Sequence, residues 1–119
     1  MLSKGTKSEE DRRIESIVQK LSSIGFIPED KKVIEDLDSE LQKIGLSYEH
    51  LLITEGKELG AHLHKFNFPW EKMEEFGDIL VKWSAQEASL KSKAKAIYQY
   101  IQEESKAFSF NIMTKISRL

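Results

Sequence analysis

The residues that come closest to a ligand set lie in the run GKELGAHLHK, which holds Glu58, His62 and His64. Imidazole and carboxylate are the common ligands of borderline metals, and a metal site needs at least three of them converging. On a regular helix His62 and His64 are about 200° apart, so they cannot chelate one ion together. Glu58 lies one turn before His62, which makes a pair and not a site. No E-x-x-H motif is present, against a carboxylate-bridged di-iron bundle. With Trp70 a few residues on, a small-ligand or metal-binding bundle stands as the alternative function, and no cofactor is expected. Nucleophilic chemistry has no foothold either. The chain has no cysteine, no G-x-S-x-G and no glycine-rich phosphate loop. Glu74-Glu75, Glu103-Glu104 and Asp36/Asp38/Glu40 read as solvated helix faces. The expectation is a protein that is not an enzyme.

Recognition chemistry has two candidates. Lys91, Lys93 and Lys95 with Tyr98 and Tyr100 form a basic, aromatic stretch, but only Lys91 and Lys95 share a helix face. The net charge of −2 argues against nucleic acid as a partner. The C-terminal segment offers more. Phe108, Phe110, Ile112, Met113, Ile116 and Arg118 form a candidate interaction surface, flanked by Lys106, Lys115 and Leu119. A basic amphipathic end of this kind docks on its own core, on a second copy, on a partner protein or on an anionic membrane surface. The charge layout sharpens this. Residues 31–90 carry seven Lys/Arg against twelve Asp/Glu, and residues 91–119 carry six against two. The basic end can close on the acidic middle within one chain or between two.

Positioning these residues falls to helices. MLSKGTK reads as a frayed N-terminus. Ser8 is placed to cap a helix with Glu9, Glu10 and Asp11 in its first turn. Ile14, Ile17, Val18 and Leu21 follow at helical spacing, and Gly25 is placed to stop it. Pro28 suits the start of the next helix, whose stripe is Val33, Ile34, Leu37, Leu41 and Ile44. Gly45-Leu46 reads as a Schellman ending. Ser47 then caps a third helix through Leu51, Leu52, Leu59 and Leu63. Gly56 and Gly60 give that helix a smooth face where another helix can approach closely.

The stretch FNFPWEKMEEFGDILVKW concentrates five of the eleven aromatic residues. Phe68 should be extended before Pro69, which opens a fourth helix with Trp70, Met73, Phe76, Gly77 and Leu80 on its face and Val81 and Trp83 on its flanks. Phe66 and Phe68 are expected to fold onto it. From Asp78 to Leu119 there is no glycine or proline. One helix of that length would span about 63 Å, so breaks are expected near Ser84–Ala88 and Ser105–Asn111. No strand reads convincingly.

The runs MEEFGDILVKW and KAKAIYQYI resemble the two helices of a tetratricopeptide repeat. Phe76-Gly77 stand at its Leu-Gly positions, and Ala94 and Tyr98 at its second-helix alanine and aromatic. The resemblance implies a helical-hairpin scaffold that binds peptides, although the link between the two runs is longer than the repeat's and nothing before them matches a second copy. The primary expectation is therefore one all-α domain over residues 1–119, of four or five antiparallel helices in a compact bundle, with a tetratricopeptide-like hairpin array as the alternative. Its core should centre on Trp70, Met73, Phe76, Leu80 and Trp83 with Ile97 and Ile101. No apolar leader or membrane-length run is visible, so a soluble, cytoplasmic, non-catalytic protein-interaction or regulatory domain is expected. The expected partner is another protein or a second copy of the chain, as a homodimer.

Overall fold

The computed structural model describes residues 8–107 and 109–119. Residues 1–7, expected to fray, and Phe108, one of the candidate surface residues, lie outside the described residues. The described chain is all-helical. α1 spans Glu9–Ser23, α2 Lys31–Leu41, α3 Tyr48–Ile53, α4 Gly56–Lys65, α5 Trp70–Trp83, α6 Leu90–Ser105 and α7 Phe110–Ser117, with a 3₁₀ turn at Gln42–Ile44. Seven α-helices among the described residues exceed the expected four or five. The main reason is that the third expected helix breaks at Thr54–Glu55 and the basic end forms a helix of its own.

Local signals account for most of the boundaries. Ser8 Oγ accepts from the Asp11 N–H at 3.0 Å, and Ser47 Oγ accepts from the His50 N–H at 3.2 Å. Each satisfies a backbone donor that the first turn leaves without an intrahelical partner. Gly45 adopts the left-handed conformation (φ 74°) that costs glycine least. The Leu46 N–H reaches back to the Leu41 carbonyl at 2.9 Å, completing the Schellman closure.

Two boundaries differ from expectation. α1 ends at Ser23, and Gly25 is not in a left-handed conformation. α2 is opened by Asp30, not Pro28, because the Asp30 carboxylate accepts from the N–H groups of both Lys32 and Val33. The α3–α4 break is held from outside. Lys93 of α6 donates to the Leu52 carbonyl at 3.0 Å and to the Thr54 carbonyl, occupying acceptors that a broken helix leaves open.

α5 and α6 form the central antiparallel hairpin, the most extensive pairing in the fold. α4 lies beside α6 and α1 beside α5. Gly56 faces Lys93 and Ala96, and Gly60 faces Tyr100, so α4 and α6 run parallel. Lys72 reaches Glu15, and Lys82 reaches Ser22, so α1 and α5 also run parallel. The hairpin resembling a tetratricopeptide unit is thus embedded in one shared core. The long run without glycine or proline is divided, with α5 ending at Trp83, α6 running from Leu90 to Ser105 and α7 starting at Phe110, and the longest dimension of the molecule is 48 Å.

The core follows the expected stripes. Met73, Phe76, Leu80, Ile97 and Ile101 are buried, whereas Trp70 is half-buried at the edge. Trp83, expected in the core from the flank of its helix, is fully buried and stacks on Phe26 with ring centroids 4.9 Å apart. Phe68 packs edge-on against Phe76 at 6.2 Å. Phe66 instead stacks on His62 at 4.7 Å, over Gly45.

Candidate interaction surface at the C-terminal helix

α7 begins at Ser109, whose Oγ accepts from the Ile112 N–H at 3.2 Å. Its residues divide by register. Ile112 is 3% exposed and belongs to the core. That corrects its placement on the interaction surface: Ile112 and Ile116 are one turn apart, on the side that meets α5 and α6. Ile116 is half-buried, and Arg118 is exposed. Phe110 and Met113, three residues apart and so on one face, are 77% and 48% exposed.

A polar latch fixes the inward side. Lys115 Nζ lies 2.5 Å from Glu74 Oε2 and 3.0 Å from both Asp78 oxygens. Asn111 Nδ2 donates to the same Glu74 oxygen at 2.8 Å. The Tyr98 hydroxyl of α6 donates to Asp78 Oδ1 at 2.6 Å, and the Lys115 ammonium sits 5.8 Å from the Tyr98 ring centroid. Glu74 and Asp78 are one turn apart on α5, so one lysine spans both. Partial burial works against the Lys115 charge, but hydrogen bonds to Glu74 and Asp78 outweigh it and raise the ammonium's pKa. Burial first, and then the hydrogen bond to Asp78, pushes the Tyr98 hydroxyl far above its ordinary value. Charge complementarity between the basic end and the acidic middle is therefore closed within one chain at this point.

The residues singled out for other chemistry are drawn apart. His62 Nε2 lies 2.6 Å from the Ile44 carbonyl, which can only accept, so this nitrogen carries the proton. His64 Nδ1 lies 2.9 Å from the Tyr100 hydroxyl, and its ring sits 4.7 Å from that of Trp70. The two imidazoles address different neighbours, and among the described residues no three His, Asp or Glu side chains gather as a metal site. In the basic stretch, Lys93 is taken up by the α3–α4 break, and Tyr98 is buried.

A groove of about 440 Å³ runs between α1 and α5. Its floor includes Val18 and Ile79, and its rim is crossed by Lys72, which pairs with Glu75 at 3.1 Å. It is open to solvent, unlike a closed ligand cavity.

Sequence reasoning missed Glu74, Asp78 and Tyr98 as partners of the tail. The available signal was the charge split together with two acids four apart on an apolar-striped helix. In comparison with known proteins, no family model, characterised protein or solved structure matches the chain. Among the described residues no helix is long and apolar enough to cross a membrane.

Proposed function

We infer that the chain is a non-catalytic protein-interaction domain that self-associates through the outward face of α7. The observation that carries this reading is the pair Phe110 and Met113, strongly exposed on a helix whose opposite face is held in place. An aromatic and a methionine presented together on a fixed element are the side chains that interfaces favour. The helix is oriented by Lys115 and Ile112, so its outward face is presented in one geometry and little ordering is left to the moment of contact. The carboxylates nearest this face are engaged by Lys115, Asn111 and Tyr98, an arrangement suited to holding a surface. A cytoplasmic setting is part of the same proposal, favoured by the absence of cysteine.

Sedimentation equilibrium over a wide concentration range tests it. The full chain should move from monomer toward dimer mass, and Phe110→Ser with Met113→Ser should weaken the association at least about tenfold, the effect of roughly 1.4 kcal/mol. A monomer at every concentration, or a dimer indifferent to the double substitution, would overturn the reading.

A further inference from the structure

We draw no further inference here: the strongest candidate, the open groove between α1 and α5 with Val18 and Ile79 at its floor, carries nothing because its two lysines are already engaged, Lys72 by Glu15 and Glu75 and Lys82 by the Ser22 carbonyl, and nothing in the structure shows what covers it.

Discussion

Two helix contacts on α6 and its partner α5 are built by opposite means. Where α4 crosses α6, side chains are removed so that backbones approach: a Cβ on Gly56 would lie 2.4 Å from the Ala96 Cβ, and one on Gly60 2.8 Å from Tyr100 Cγ. Where α7 meets α5, long polar side chains reach across: Lys115 spans Glu74 and Asp78. The first contact has no slack, because interiors are close-packed and a single added methyl must displace rigid neighbours. The second is a set of partly solvated bonds around a single buried side chain, Ile112. The first contact thus tolerates no added atom, while the second depends on charge and hydrogen bonding.

The largest expected effect breaks the close-packed contact. Gly56→Ala should destabilise the whole domain, although alanine is the better helix former by up to about 1 kcal/mol. Overpacking typically costs about 1–3 kcal/mol, and the colliding atoms are the Ala96 methyl and the Lys93 backbone. Gly60→Ala should behave similarly against the stiff base of Tyr100. Urea midpoints would show the loss, and Ala96→Gly combined with Gly56→Ala should recover part of it. An unchanged midpoint would mean that α4 slides freely on α6.

The same contrast explains what could be read before the fold was known. Gly56 and Gly60 announce a close approach because glycine has few other reasons to recur on one helix face. Ser8, Ser47 and Gly45 announce ends because their partners lie within a few residues. What stayed hidden depends on distant partners. Thr54 ends α3 where Lys93, far along the chain, supplies the donor. Trp83 is expected in the core, but its stacking partner Phe26 lies far along the chain. Asp30 displaces Pro28 as the start of α2 because a carboxylate can accept from two N–H groups at once. At the candidate surface, the basic amphipathic character of the tail was legible and its register was not. Ile112 and Phe110 differ in exposure because of where α5 lies.

A smaller effect should follow from breaking the latch. Lys115→Met keeps much of the stem and removes the charge. Glu74 and Asp78 then lose their shared cation, and since all three groups are partly exposed the cost should be about 1 kcal/mol. The loss should appear as faster amide hydrogen exchange in α7, with the amides of α4 and α6 unchanged. Equal acceleration throughout would show that α7 is no more separable than the rest.

The latch also fixes an alkaline signature. Lys115 and Tyr98 both have raised native pKa values, from ordinary values of 10.5 and 10.0. Above about pH 10 the native state holds protons that the unfolded state has lost, so stability falls as pH rises. Below that window their contribution is fully present. Each such group steepens the fall by at most about 1.4 kcal/mol per pH unit. Tyr98→Phe should flatten the high-pH slope of a denaturation series. A slope unaltered by that change would detach Tyr98 from the network.

The smallest effect on stability is expected where the largest effect on association is proposed. Phe110 and Met113 face outward, so replacing both with serine should leave the urea midpoint within about 0.5 kcal/mol, as for most surface positions. Stability and association are separable here because α7 divides them between its two sides: Ile112 and Lys115 hold the helix, while Phe110 and Met113 present it. A double variant that unfolds markedly earlier would show that the outward side chains also support the dock. The division between a holding face and a presenting face would then fail, and loss of association in that variant would no longer report on an interface.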